Sequence, residues 1–381
     1  MSSRHAVTTS VVSTARSWCP RRSGTALGRV RTVKGSATHW DGWLSSIHRN
    51  ITRRVTPRQR AAFRTLWEHA INGVPDRLFL AARRRYGRRL EESHSAPLPV
   101  LLRMATFRRR IPSSVQAFEL LGRPDLKMSN VESIATRVVF WTGDHWVSQH
   151  GAGMKIWEAL CRRAAKIVEL GANVGYYTIA GGAVATGAYS AYEPHPRSCA
   201  ALRRNLELNG IDRVLVVEAA AVPEPTPTHV ELVCPTGTDR GAPSGAMVKG
   251  SPFEGDDPDR ETESVVVNAV AFAAAIDGSD LVKIDVEGLE AQLLVGAWAQ
   301  LCAEKPAVMV EIHDHNKDLR SLLPRLMLDL DAVAYAMRRD YLVPVGPDVL
   351  EDGSLFDTCH TWDYLIVPAG RASLVDGLVR A

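Results

Sequence analysis

The sequence predicts an α/β protein built on an open, mostly parallel sheet, and three observations support this prediction. From about residue 165 onward, short apolar runs alternate with stretches of helical periodicity, the pattern of successive βαβ units. A turn with two glycines follows the first apolar run, and an acidic residue closes the second. Open α/β sheets bind ligands at the carboxyl ends of their strands, so these residues also predict where a ligand site lies.

The elements of this sheet are assigned from the apolar runs and the residues that bound them. Strands are predicted at 166–170, 188–192, 214–218, 281–284, 307–312 and 361–367, and helices at 176–185 and 196–208. Pro196 suits the first turn of the second helix, and Asn209-Gly210 marks its end. Residues 234–264 are rich in Gly, Pro, Ser and Asp, which predicts a long surface loop or insertion.

Length and composition narrow the class of protein. The chain has 381 residues, of which 45% are hydrophobic and 23% charged, as in soluble globular proteins. At roughly 150 residues per domain, this length allows two domains or one large domain with an extension. No apolar stretch reaches the roughly 18 residues of a membrane helix, and the basic N-terminus lacks the apolar region of a signal peptide. The six cysteines form no C-x-x-C pair, so we expect a cytoplasmic protein with reduced thiols.

Charge divides the chain into two halves. Residues 1–127 contain 25 Arg and Lys against 7 Asp and Glu, whereas the remainder contains 21 against 35. Residues 1–55 are predicted to be a disordered basic tail, because they have little apolar periodicity. Helical spacing after Thr56-Pro57 predicts a mainly helical N-terminal region at 56–150, of unknown role, ahead of the α/β domain at 151–381. Its arginine runs at 83–85, 88–89 and 108–110 fit either solvated helix faces or a surface for RNA, DNA or an anionic membrane.

The turn after the first strand has the composition of a ligand-binding turn. Gly171 and Gly175 stand where the backbone bends sharply and where a ligand approaches the main chain. A dinucleotide is disfavoured, because Asn173 and Tyr176 take the places of the second and third glycines of G-x-G-x-x-G. Glu193, 18 positions after Gly175 at the end of the second strand, is placed to accept hydrogen bonds from both hydroxyls of a ribose. The pattern favours a nucleoside without a pyrophosphate.

Residues 166–367 resemble the FkbM-type methyltransferases, a branch of the class I enzymes that use S-adenosylmethionine (SAM). The matching stretches are ELGANVGYY at 169–177, YEPHP at 192–196, LRRNLELNG at 202–210, EAAAV at 218–222, LVKIDVEGLE at 281–290 and PAVMVEIH at 306–313. Their order and spacing are jointly specific. The resemblance implies a Rossmann-like class I methyltransferase sheet with a final antiparallel strand, and methyl transfer from SAM.

The resemblance also implies a set of SAM-binding residues. The glycines would line the methionine part, Glu193 would hold the ribose, residues 218–220 would border the adenine, and Asp285 would sit beside the sulfonium and the acceptor. The full set is Glu169, Gly171, Asn173, Gly175, Glu193, Glu218, Ala219, Ala220 and Asp285.

The sequence departs from the family pattern at two places. Glu169 replaces an aspartate at the start of the glycine motif, and its longer carboxylate can still hold the methionine amine or a backbone amide. The Thr-Leu-Asp triplet that many members carry before the fourth strand is missing at 268–272. The second departure predicts that a helix cap is lost or replaced.

Three polar residues at predicted strand ends are candidates for catalysis: Asp285, Glu311 and His313. An aliphatic hydroxyl is a weak nucleophile at neutral pH, so its methylation benefits from a general base, and each of the three is a candidate. His313 can equally be bonded to loop backbone, and Glu287 more readily supports a helix dipole. Asp314 and these three residues have side chains that could bind a divalent cation, but nothing in their spacing requires a metal and we expect none.

The sequence leaves three functions open. The resemblance favours SAM-dependent O-methylation of a hydroxyl on a small molecule, natural product or sugar. The second function is RNA methylation with the basic N-terminal half as the binding surface, which would weaken with salt. The third is SAM binding without catalysis, against which Glu193 and Asp285 both argue. His195, in the YEPHP stretch, is predicted to be a loop residue near the adenosine.

Overall fold

The computed structural model describes residues 66, 69–78, 80–81, 109–120, 123–142, 153–225, 227–236, 241–252, 261–313, 316–338, 340–351, 355, 359 and 361–380. The predicted basic tail at 1–55 lies outside the described residues, as do the arginine runs at 83–85 and 88–89. Of the predicted N-terminal helices, helical turns at 69–73 and 76–78 are described. In the described parts of the chain, no helix is both long enough and apolar enough to cross a membrane.

The described residues form strands and helices that alternate along most of the chain. The strands are β1 (Ala117–Glu119), β2 (Lys127–Ser129), β3 (Lys166–Leu170), β4 (Ala188–Tyr192), β5 (Val214–Val217), β6 (Ala220–Val222), β7 (His229–Pro235), β8 (Met247–Val248), β9 (Thr262–Ala271), β10 (Leu281–Ile284), β11 (Ala307–Glu311), β12 (Ala332–Met337), β13 (Leu342–Val345) and β14 (Asp363–Pro368). The helices are α1 (Ile134–Thr142), α2 (Met154–Cys161), α3 (Tyr176–Gly182), α4 (Pro196–Leu208), α5 (Phe272–Ile276), α6 (Glu290–Gly296), α7 (Trp298–Glu304), α8 (Lys317–Leu330) and α9 (Pro347–Glu351), followed by a 3-10 helix at Ala369–Val375.

The main sheet has the strand order β13, β12, β14, β11, β10, β3, β4 and β5. Strands β11, β10, β3, β4 and β5 run parallel, and β14 runs antiparallel to both β11 and β12. The predicted sheet with a final antiparallel strand is therefore confirmed. The chain passes from β3 to β4 on one side, while β10 pairs with the other side of β3. This reversal opens a crevice at the carboxyl ends of β3 and β10, where such sheets bind ligands.

The predicted ends of strands and helices agree best with the structure where the sequence has a clear apolar run or a proline or Asn-Gly boundary. β3, β4, β10 and α4 match the predicted ranges, because each is a short apolar run or a helix bounded by proline and Asn-Gly. α3 ends at Gly182, earlier than predicted, and β14 is displaced toward the C-terminus. The predicted loss of a helix cap is confirmed at α5, because its N-cap is Ala271, whose side chain accepts no hydrogen bond.

The predicted surface loop at 234–264 is wrong in part, because β7 and β9 reach into its ends and β8 lies in its middle. With β6 these strands form a second sheet in the order β6, β9, β7 and β8. Leu232, Cys234 and Val267 pack with Ala220 in its small apolar core. Amino-acid composition did not predict this sheet, because the segment that joins its paired strands is rich in glycine, proline and aspartate.

The N-terminal segment 109–142 packs onto the α/β domain. It contains a two-stranded antiparallel sheet, β1 with β2, as well as α1. Asn205 of α4 accepts hydrogen bonds at its Oδ1 from the amide and the hydroxyl of Ser129, both at 2.7 Å. Trp141 donates its indole N–H to the carbonyl of Arg109 at 2.7 Å. These contacts hold α1 beside the crevice of the main sheet.

Candidate active site

A cavity of about 380 Å³ occupies the crevice at the carboxyl ends of the strands. Its floor consists of the lining residues at the ends of β3, β4, β10 and β11. Its cover consists of lining residues from 134–138 in α1 and from the segment 243–248. The volume falls within the range of small-molecule sites, roughly 300–1,000 Å³.

Gly171 allows the ends of β3 and β10 to meet at the floor. Its φ is +76°, and a Cβ built at this position would lie 1.7 Å from the carbonyl oxygen of Asp285. The amide of Asp285 in turn donates a hydrogen bond to the carbonyl of Leu170 at 3.2 Å. Only glycine fits at this position, because any side chain would collide with the Asp285 carbonyl.

Glu193 and Asn173 form one polar side of the floor. The carboxylate of Glu193 accepts hydrogen bonds from the amides of Asn173 at 2.7 Å and of His195 at 2.9 Å, one on each oxygen. Burial raises the pKa of Glu193 to about 7, although the two amides oppose the shift. The side-chain oxygen of Asn173 is buried and has no hydrogen-bond partner among the described residues. A carboxylate with unused lone pairs and an unpaired amide oxygen therefore line the cavity together.

Glu169 also lines the cavity, but one of its oxygens is held from the core side. That oxygen accepts hydrogen bonds from the hydroxyls of Thr178 at 2.8 Å and Tyr189 at 2.5 Å. Burial raises the pKa of the carboxyl, while buried Lys283 and the two hydroxyls lower it. The carboxylate that replaces the family's aspartate is thus fixed by two side chains of the core.

Two of the proposed SAM-binding residues do not line the cavity. Gly175 has φ +89° at the N-cap of α3, and a Cβ there would lie 2.4 Å from Cδ1 of Leu202, so it allows α3 and α4 to pack closely. Glu218 extends to the surface, where its carboxylate pairs with Arg203 at 2.9 Å. Ala219 and Ala220, the next two residues, do line the cavity. The Glu218 carboxylate thus points to Arg203 outside the cavity lining, and its place beside the adenine stays a prediction.

Asp285 stands at the end of β10 with a buried cation beside it. The Nζ atom of Lys283 donates a hydrogen bond to Asp285 Oδ2 at 2.9 Å and lies 4.9 Å from the centroid of the Tyr177 ring. Burial raises the pKa of the Asp285 carboxyl, and the charge of Lys283 counteracts the shift. Asp285 thus binds a proton more tightly than an ordinary aspartate, beside a cation that stabilises its charged form.

His313 lies beside Glu311, with its Nε2 atom 3.4 Å from a carboxylate oxygen and its ring 4.9 Å from the Trp362 ring, between centroids. Burial lowers the pKa of His313, but Glu311, Glu287 and Asp285 outweigh burial and raise it to about 9. Because His313 is then a cation at neutral pH, it suits hydrogen-bond donation better than proton abstraction.

The structure brings the three predicted catalytic residues to the lining of one cavity. In the described ranges, no group of three or more His, Cys, Asp and Glu side chains is arranged to hold a metal ion. Asp314 lies outside those ranges. His195 does not line the cavity; it caps α4, where its Nδ1 atom accepts a hydrogen bond from the amide of Arg197 at 3.2 Å.

Sequence reasoning missed Lys283 and the cover. A lysine inside the apolar strand LVKI signals a buried cation, and this signal was available in the sequence. The cover gave no such signal, because Ile134 and Val138 reach the cavity only through the packing of α1. The segment 243–248 was treated as part of a loop.

An open α/β sheet with a ligand cavity at the reversal of strand order has the architecture of a Rossmann-like class I methyltransferase. Residues 169–337 match the family model described as the methyltransferase FkbM domain. The match covers the stretches that carry the resemblance and agrees with it, so residues 169–337 are similar to an FkbM methyltransferase domain. No curated protein sequence gave a match.

Solved structures with a similar fold are distant in sequence. The methyltransferase FkbM from Methylobacillus flagellatus KT is 17% identical, with 61% of this chain and 52% of that chain covered and a TM-score of 0.32. An rRNA methylase from Streptococcus thermophilus is 10% identical, with 56% of this chain and 90% of that chain covered and a TM-score of 0.30. An O-methyltransferase from Bacillus cereus, in complex with SAH, is 11% identical, with 56% of this chain and 78% of that chain covered and a TM-score of 0.29. The match thus spans about half of the Methylobacillus protein.

Proposed function

We propose that this protein is a SAM-dependent methyltransferase whose acceptor is a hydroxyl on a small molecule, natural product or sugar. The observation that best supports the proposal is that one cavity joins two kinds of polar residue. Glu193 and Asn173 lie on the β3–β4 side, and Asp285, Glu311 and His313 lie on the β10–β11 side. The first group suits a nucleoside, and the second suits a hydroxyl that must lose a proton.

The β3–β4 side fits SAM on grounds of hydrogen bonding. Each oxygen of Glu193 accepts one amide, so both keep a lone pair for the ribose hydroxyls. The buried oxygen of Asn173 can accept a hydrogen bond from the ligand, which would satisfy it. Gly171 lines the cavity with its backbone and lets the ends of β3 and β10 approach each other beneath the ligand. When bound, SAM supplies a methyl group on a positively charged sulfur.

Asp285 is the residue best suited to accept the proton of the acceptor hydroxyl. Burial raises the pKa of Asp285, and the charge of Lys283 beside it stabilises the carboxylate form, a combination that suits a general base. The cation of His313, held by Glu311, can donate a hydrogen bond that orients the acceptor. Much of the remaining rate enhancement would come from alignment of the hydroxyl with the methyl group.

The experiment is transfer of label from tritiated SAM to a panel of sugars, polyols, phenols and simple alcohols. We expect label in at least one hydroxyl compound with the wild type and a loss of transfer with Asp285→Asn. Label in RNA, with none in the panel, would favour the RNA-modifying alternative. That alternative depends on arginine runs outside the described residues, and no described contact favours it.

A further inference from the structure

Glu287 lines the cavity but has no role in the reaction proposed above. It follows Asp285 by two residues and lines the cavity with Glu311 and His313. The sequence favours a role at the N-terminus of the next helix, but α6 begins at Glu290 and has another residue as its N-cap. A contribution to the helix dipole therefore does not account for the position of Glu287.

The backbone at Glu287 has a conformation that side chains rarely adopt. Its φ is +55°, and the next residue, Gly288, has φ +101°. The hydroxyl of Ser251 donates a hydrogen bond to the Glu287 carbonyl at 2.8 Å, and the Glu290 carboxylate accepts the amides of Val286 and Gly288, each at 3.2 Å. Strain that surrounding bonds hold in place is typical of functional sites.

The carboxyl of Glu287 faces acidic neighbours. No hydrogen bond or ion pair joins it to another group in the described part of the chain. A Cβ at Gly245 of the cover would lie 3.8 Å from its Oε1 atom, so the cover leaves room for this side chain. The charged groups that face it are Asp285, Glu311, Glu290 and His313.

These surroundings keep the proton on Glu287. Burial raises its pKa to about 8, with further increases from Asp285, Glu311 and Glu290, and the cation of His313 opposes them. His313 already pairs with Glu311. A neutral carboxylic acid has one O–H donor, whereas a carboxylate can only accept.

We propose that Glu287 binds the methyl acceptor directly, with its carboxylic acid donating a hydrogen bond to a second oxygen next to the hydroxyl that is methylated. The two carboxyl groups of the loop then have opposite roles: Asp285 accepts the proton of the reacting hydroxyl, and Glu287 donates a hydrogen bond. The acceptor class is a compound with two neighbouring oxygens, such as a diol, a sugar or a hydroxy-ketone. This inference rests on the proposed function.

The first test measures the proton on Glu287 and needs no known acceptor. The full chain, with glutamate labelled at the carboxyl carbon by carbon-13 and S-adenosylhomocysteine (SAH) added, is titrated by NMR between acidic and basic pH. We expect one carboxyl signal that titrates near pH 8 and is missing from Glu287→Gln. A Glu287 signal that titrates at about 4.3, the ordinary value, would overturn the assignment.

The second test separates this inference from the proposed function. Calorimetric titration with SAH should give the same affinity for the wild type, Glu287→Gln and the exposed control Glu263→Gln. If the wild type binds SAH but Glu287 titrates at its ordinary pH, the role proposed for Glu287 is wrong and the proposed function still stands. With no SAH binding to the wild type, the proposed function fails, and the acceptor role falls with it.

The third test uses the acceptor panel. On compounds with neighbouring oxygens, Glu287→Gln should retain transfer within about threefold, because its amide still donates, whereas Glu287→Ala should lose about tenfold. Simple alcohols should show no such difference between the two variants. Equal transfer by Glu287→Ala and the wild type to every diol would contradict the proposal.

Discussion

The floor and the cover of the cavity differ in chemistry and in origin. The floor contains charged and polar side chains, among them Glu193, Lys283 and Asp285, all within the matched residues 169–337. The cover presents apolar or small side chains such as Ile134 and Val138; its α1 part precedes the matched residues, whereas 243–248 lies inside them. We expect the floor to carry the chemistry and the cover to shape the space for the acceptor.

The two parts of the cover are joined to each other next to the cavity. A Cβ at Gly241 would lie 1.8 Å from the carbonyl oxygen of Val131, so glycine permits a close contact there. The amide of Ala242 donates to the same carbonyl at 3.4 Å. A change in one part of the cover should therefore affect the other.

The largest effect is expected from removal of the proposed base on the floor. Asp285→Asn keeps the shape of the side chain but removes its affinity for a proton, so methyl transfer should fall roughly 100- to 10,000-fold. SAM affinity should change little. The rates are measured with an acceptor from the panel, and the affinity by calorimetry. Equal losses in both would mean that Asp285 supports cofactor binding or the fold instead.

The next effect concerns the contact between β3 and β10. Gly171→Ala places a methyl group on the Asp285 carbonyl and should lower the free energy of unfolding by at least about 3 kcal/mol. Gly210→Ala is the matched control: its φ is +63°, but no atom lies within 4 Å of the added Cβ. Its cost should be about 1–2 kcal/mol. Equal losses in urea unfolding would show that the close approach at Gly171 is unimportant.

Glu193→Ala tests the nucleoside side of the floor. Loss of a hydrogen bond to a charged group costs about 1.5–3 kcal/mol, so SAM should bind roughly 10- to 150-fold more weakly. Glu218→Ala removes a surface ion pair that lies outside the cavity and should change SAM affinity less than about twofold. The SAM affinity of both variants is measured by calorimetry. Similar losses of affinity in the two variants would mean that Glu218 also contacts the adenosine.

The smallest effect is expected from the cover. Ala135 lines the cavity, and Ala135→Leu should change the relative rates with small and large acceptors by about tenfold. The control is Ala200→Leu on the exposed face of α4, which should change neither rates nor selectivity. Rates measured across the acceptor panel test this, and unchanged selectivity in Ala135→Leu would remove α1 from the acceptor site.

The sequence predicted the floor better than the cover for a physical reason. Strand ends in a parallel sheet meet at one edge, so Asp285, Glu311 and His313 follow from the order of the apolar runs alone. Glu218 is not among the residues that line the cavity, because the strand ends one residue earlier than predicted and its side chain pairs with Arg203. The cover depends on long-range packing of α1 and on pairing between β7 and β9, which local periodicity does not report.

Calorimetric titration of the full chain with SAM, with NAD as the comparison ligand, tests the central claim most directly. In the proposed function Glu193 binds the nucleoside, and the turn at Asn173 lacks the glycines that a pyrophosphate needs. We predict micromolar binding of SAM to one site and no heat with NAD. Binding of NAD with no binding of SAM would contradict the account.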